Sequence, residues 1–126
     1  AENKEYYTQE MENGSIQISE DVVASVTGMA VLEVEGVCGL SSSIGTDIAE
    51  MLGMKTLSKG VRLSTTETGA LRIDCDVVSK FGQNIFELAK NVQENVKSSV
   101  ESVTGLRVAE VNVTVCGIAL PKDSKK

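Results

Sequence analysis

A chain of 126 residues, 41% apolar and 24% charged, has the size and balance of one globular domain rather than of a disordered or membrane-spanning chain. No stretch approaches the roughly 20 apolar residues that a membrane helix needs, and the start of the chain is acidic and polar where a secretory signal would be basic and then apolar, so a cytoplasmic location is expected. A net charge of -6, two Phe, two Tyr and no Trp repel phosphate backbones and offer little surface for stacking bases, which argues against nucleic acid as a partner.

Residues 1–13 are polar and mostly acidic and are expected to form a flexible tail ahead of a single domain over 14–120. Ser15-Ile16-Gln17-Ile18 alternates like a short strand. Ser19 is then placed to cap a helix whose first turn holds Glu20 and Asp21, both favourable at the positive end of the helix dipole. Val23, Val26, Ala30 and Val34 recur at helical spacing, which predicts a first helix over Glu20–Glu33 that ends at Gly36-Val37-Cys38-Gly39. This helix carries Gly28 and many β-branched residues, all weak helix formers, so packing must hold it. Residues 41–60 read as a Gly-, Ser- and Met-rich insert, in which Thr46 caps a short helix with Ile48, Met51 and Leu52 on one face.

Val61–Thr66 and Ala70–Val78 read as the strands of a hairpin, with Gly69 supplying the positive φ that its three-residue connection requires. A second helix opens at Asn84, with Glu87 three positions on resembling a capping box. Its stripe of Ile85, Leu88, Ala89, Val92, Val96, Val100 and Val103 is apolar throughout, and Gly105 stands where a C-cap would. A last strand over Arg107–Val115 alternates through Ala109, Val111, Val113 and Val115, and residues 121–126 read as a flexible tail. The order is βα, insert, ββα, β. Helices with one apolar stripe and strands that alternate imply a two-layer α+β sandwich, both helices on one face of a mixed sheet. The endings Val31-x-x-Val34-x-Gly36-Val37 and Val100-x-x-Val103-x-Gly105-Leu106 echo one another, as in a split βαβ fold.

Chemistry is scarce in this chain. It has no His, which removes the side chain best suited to acid–base work near neutrality and the commonest metal ligand. Cys38, Cys75 and Cys116 are far apart with no Cys-x-x-Cys, and read as buried thiols in a reducing compartment. If the helices cover one face of the sheet, the other shows Arg62, Ser64, Arg72, Asp74, Asp76, Glu110, Asn112 and Thr114. Asp74 and Asp76, two residues apart on one strand, could share a hard cation or divide acid and base roles, but a solvated face with Arg62 or Arg72 pairing is the simpler reading. Gly36 to Gly45 lacks the ending of a phosphate-binding loop, and Met51 and Met54 are candidates for an adaptable partner contact.

Six blocks carry a family resemblance: Gly14-Ser-Ile-Gln-Ile-Ser, Glu33-Val-Glu-Gly-Val-Cys-Gly, Lys59-Gly60-Val61, Phe81-Gly82 followed by Ile85, Val92-Gln93-x-x-Val96, and Thr104-Gly105-Leu106-x-Val-x-x-Val-Asn112-Val-x-Val. In order and spacing, from Gly14 to about Leu120, the chain resembles the alkaline-shock-protein family of cytoplasmic, envelope-associated stress proteins of Gram-positive bacteria. The resemblance implies a non-enzymatic role in cell-envelope homeostasis, in some relatives at the membrane through a membrane-anchored partner of the same family. Other relatives are encoded beside lipid-synthesis genes, which suggests a role in lipid supply. The family offers no catalytic residues to carry over.

These features lead to an interaction module that binds protein, itself or a membrane-anchored relative, as a homo-oligomer and without a cofactor. The polar sheet face (Arg62, Arg72, Asp74, Asp76, Glu110, Asn112) or the outer strand edge would carry the contact. The alternatives are a sensor of an acyl or phosphorylated small molecule, held by Gly36 to Gly45 with Met51 and Met54, and an enzyme that uses Asp74 and Asp76 with a divalent metal. With its charge and a second helix of mixed-charge polar face, direct membrane insertion is not expected, so membrane association would run through a partner protein.

Overall fold

Strand β5 (Leu71–Lys80) is the middle of the sheet because its odd positions bury Leu71, Ile73, Cys75 and Val77 while both its edges are paired. The computed structural model describes residues 6–40 and 60–120. On one edge of β5 lie two antiparallel strands end to end, β3 (Val37–Leu40) against Val77–Ser79 and β4 (Val61–Thr65) against Leu71–Cys75. The other edge holds β6 (Val108–Ala119), parallel to β5 along its whole length. That parallel step is made possible by helix α2 (Ile85–Thr104), which carries the chain back from one end of β5 to the start of β6.

Helix α1 (Glu20–Glu33) and α2 pack side by side on one face of this sheet. The two-layer α+β arrangement expected from periodicity is therefore the fold. Both helices also start as the sequence predicts: the Ser19 side chain accepts from Val22 N–H, and the Asn84 side chain from Glu87 N–H. Gly105 ends α2 in the left-handed conformation, its N–H donating to the Glu101 carbonyl. Asn95 on α2 donates to the Ala30 carbonyl at 2.7 Å and to Glu33 Oε1 at 3.2 Å, so the last turn of α1 is closed by its neighbour.

Several expectations change. Residues 6–11 are not tail but strand β1 (Tyr6–Met11), paired antiparallel with β2 (Gly14–Ser19) in a separate two-stranded sheet, with Tyr7 and Ile18 half-buried against the core. Its sequence YYTQEM has too little apolar content to announce a strand, and only the hairpin partner supplies the burial. The Gly36-to-Gly39 segment is not merely a stop, since Val37–Leu40 continues as β3. The last strand runs on to Ala119 rather than ending at Val115.

Three other corrections come from a bulge, helix phase and strand alternation. A register shift between Val108 and Glu110 leaves Ala109 exposed and puts Val108 in the core in its place. On α2 the buried series is Leu88, Val92, Val96, Val100 and Thr104, an unbroken four-residue repeat, and Val103 is 65% exposed. Thr104 tolerates burial because its hydroxyl donates to the Val100 carbonyl at 2.6 Å. Of the three thiols only Cys75 is buried; Cys38 and Cys116 are exposed. Both fall on the outward phase of their strands, beside the register shifts of β3 and β6. Residues 41–59, with the short helix expected there, Met51 and Met54, and the 121–126 tail lie outside the described residues.

Candidate functional site

The helices cover one face of the sheet, so the even positions of β5 and their cross-strand neighbours meet on the other. Register sets Arg62 opposite Asp74, Arg72 opposite Glu110 and Asp74 opposite Asn112. The side chains then join into two groups side by side, Arg62 with Asp76, and Arg72, Glu110, Asn112 and Asp74 together. Arg62 grips Asp76 with two bonds, 2.8 and 3.1 Å. Arg72 Nε lies 2.9 Å from Glu110, and Asn112 Nδ2 bridges Asp74 at 2.8 Å and Glu110 at 3.1 Å. The six residues expected to carry the contact thus share this face, each with a partner among the others.

This pairing decides how the two aspartates behave. Asp76 faces Arg62 and Asp74 faces Asn112, so each carboxylate already has its own partner, and the two do not converge on a shared cation site. The Arg62 hydrogen bonds hold the Asp76 carboxyl below the usual carboxylate range, and Asp76 in turn raises the guanidinium. A carboxyl depressed in the folded state contributes stability that is present above its unfolded pKa of about 3.9 and is lost as pH falls through the folded value. Asp76→Asn should therefore leave stability near neutrality within about 1 kcal/mol of the parent, because the pair is exposed. The variant should also flatten the decline of stability below about pH 4, as urea titrations at about pH 7 and about pH 2.5 would show.

Directly under this face is Cys75, whose thiol burial pushes up to about 12, with Asp74 and Asp76 adding to the shift. Such a thiol stays protonated and is a packing group, as its core position on the strand implies. Among the described residues no three His, Cys, Asp or Glu side chains group in a way that could hold a metal ion. The Gly36-to-Gly45 stretch, considered for a phosphate or acyl ligand, is taken up by the fold as far as Leu40. Lys80 N–H donates to the Gly36 carbonyl, and the Gln83 side chain and Leu88 fill the space beside Gly36.

The outer edge of β6 is the second feature, and sequence reasoning missed how it is built. Leu71 N–H donates to the Arg107 carbonyl, so the groups of Val108 point the opposite way, to the outer edge. There Glu101 Oε2 accepts from Val108 N–H at 3.0 Å, Lys97 Nζ donates to the Val108 carbonyl at 3.0 Å, and Gln93 Nε2 donates to the Val111 carbonyl at 3.0 Å. Three α2 side chains at four-residue spacing thus seal the first part of the edge, doing for Val108 what a neighbouring strand would do. The Val108 N–H holds the Glu101 carboxyl below its ordinary range, with Lys97 acting in the same sense. The signal was the polar i, i+4, i+8 series; its target, a backbone edge, is set only by how α2 lies on β6.

Residues 8–120, which take in the helices, the polar sheet face and the β6 edge, match the alkaline-shock-protein family, described as having a cell envelope-related function. The chain is 37% identical over 108 residues to the uncharacterized protein Spy1614 of Streptococcus pyogenes serotype M6, covering 84% of this chain and 88% of that one. It is 31% identical over 105 residues to the uncharacterized protein YqhY of Bacillus subtilis, covering 83% of this chain and 77% of that one. Among solved structures it is similar to a MamM-CTD variant with TM-score 0.48 and 15% identity, over 78% of this chain and 96% of that one. No helix among the described residues is long and apolar enough to cross a membrane. With the match running through both helices and reaching all six described strands, the chain belongs to the alkaline-shock-protein family of cell-envelope-related proteins.

Proposed function

We propose that the chain is a non-enzymatic protein-interaction module in cell-envelope homeostasis, working in the cytoplasm and reaching the membrane through a membrane-anchored protein of its own family. The observation that carries this reading is the sheet face: Arg62, Arg72, Asp74, Asp76, Glu110 and Asn112 form a solvent-facing pattern of charge held in place by its own hydrogen bonds. A surface ordered before contact loses less side-chain entropy on binding, and alternating charge gives specificity. The carboxylates of such a face are already satisfied within it, which suits recognition of shape and charge pattern better than proton transfer.

The direct test inverts the pattern without breaking the pairing. In Arg62→Asp/Asp76→Arg the two residues exchange signs, so the pair can reform and stability should change by less than about 1 kcal/mol. Capture of a membrane-anchored family member from cross-linked host cells should fall at least tenfold. Undiminished capture by a folded double variant would remove the sheet face from the reading.

A further inference from the structure

Beyond the part sealed by Gln93, Lys97 and Glu101, the outer edge of β6 is open among the described residues. The two-residue repeat that sends the Val111 carbonyl outward sends the N–H and C=O groups of Val113 and Val115 the same way, and no backbone partner pairs with them among the described residues. This stretch is regular. It lies between the two register shifts of β6, one at Ala109 and one at Cys116, and reads Val-Asn-Val-Thr-Val from Val111 to Val115. Exposed edge strands usually carry charges, prolines or distortions that discourage pairing. Here the ten residues Val111–Leu120 carry no charge, in a chain whose net charge is -6.

We propose that this open edge pairs with the same edge of a second copy of the chain, antiparallel about a two-fold axis close to Thr114, so that two sheets join into one. The occupant follows from charge and symmetry. Two chains of net charge -6 repel, and along Val111–Leu120 two copies of β6 can meet without like charges on the paired strands. Antiparallel pairing about a two-fold makes the strand its own complement, β-branched residues facing β-branched residues, and it closes as a dimer. The side-chain seal at Val108 and Val111 limits the new ladder to a short run, which favours a reversible association. Exposed Ile118, on the same strand, extends the apolar strip. The inference deepens the interaction-module reading and rests on it, but uses a different surface from the sheet face.

The experiment exploits Thr114, whose exposed side chain stands on the polar face beside the axis. In an antiparallel pair, side chains directly opposite lie about 4.5–5.5 Å apart and diagonal ones about 7–8 Å, so like charges at this position repel in either nearby register. Sedimentation equilibrium of the parent chain should show a dimer at tens of micromolar. Thr114→Lys and Thr114→Glu should each weaken dimerisation at least tenfold, and a 1:1 mixture of the two should restore it as a heterodimer. Hydrogen exchange on the parent chain gives a reading free of substitutions: the amides of Val113 and Val115 should gain protection as concentration rises. A parent chain monomeric at about 100 micromolar, or Lys and Glu variants that dimerise like the parent, would overturn the proposal, as would exchange at both amides that ignores concentration. Failure here with loss of capture in Arg62→Asp/Asp76→Arg would leave the interaction-module reading standing; a dimer with undiminished capture would reverse that outcome.

Discussion

Ile73→Ala should destabilise the protein by about 2–5 kcal/mol and lower its melting temperature by more than about 10 °C. Ile73 is fully buried at the centre of β5, between Leu63 of β4 and Val111 of β6 in register and in one core cluster with Val92 and Val96 of α2. Strands on both sides and helices above leave few groups free to collapse into the space, which puts the cost well above that of transfer alone. Val103→Ala supplies the contrast. Although Val103 falls in the apolar run of the second helix, its exposure predicts a change of less than about 0.5 kcal/mol. Urea unfolding of the two variants, with an unchanged m-value, would measure the difference; equal losses would mean that the packing of α2 is not as described.

Gly36→Ala should cost at least about 2 kcal/mol, for two separable reasons. The backbone at Gly36 has φ +96°, which a side chain rarely adopts. An added Cβ would also lie 2.5 Å from Gln83 Oε1, 2.7 Å from Gln83 Cδ and 3.0 Å from Leu88 Cδ1. Gln83 is exposed and can swing aside, whereas Leu88 is buried and cannot. Gly36→Ala/Gln83→Ala should therefore recover part of the loss, the remainder measuring the backbone and Leu88 together. Full recovery would show that backbone conformation contributes nothing. The position matters beyond its own turn, because the Gly36 carbonyl accepts from Lys80 N–H and so starts the register of β3 on β5.

Local signals were legible wherever one residue's chemistry acts on its own neighbours. Ser19 and Asn84 cap helices because a side-chain oxygen reaches the N–H three residues on, and Gly105 and Gly69 adopt positive φ because they lack a Cβ. The burial of Leu71, Ile73, Cys75 and Val77 follows from a period of two, and from it came the opposite set of Arg72, Asp74 and Asp76. Those patterns also determined the two-layer arrangement, since a one-striped helix and an alternating strand have each other's missing face to cover. The family blocks, spread over nearly the whole ordered chain, were legible for the same reason: they are mostly the turns and core positions of these elements.

The tertiary structure decided everything that depends on which backbone lies beside which. Residues 6–11 become a strand only because β2 offers its edge, and Val37–Leu40 only because β5 has room beyond β4. The bulge at Ala109 shifts the inward phase of β6, and no periodicity count contains an extra residue until the partner strand is known. The six polar residues could be assigned to one face from alternation, but their pairing as Arg62 with Asp76 and Asn112 with Asp74 and Glu110 depends on register across three strands. So does the edge: Gln93, Lys97 and Glu101 look like ordinary solvated helix positions, and become a seal only where α2 crosses β6, leaving Val113 and Val115 open beyond it. Side-chain patterning is a property of one segment and is written in its sequence; a sheet edge is made of backbone, which is chemically the same at every residue, so only the assembled fold says where it is exposed.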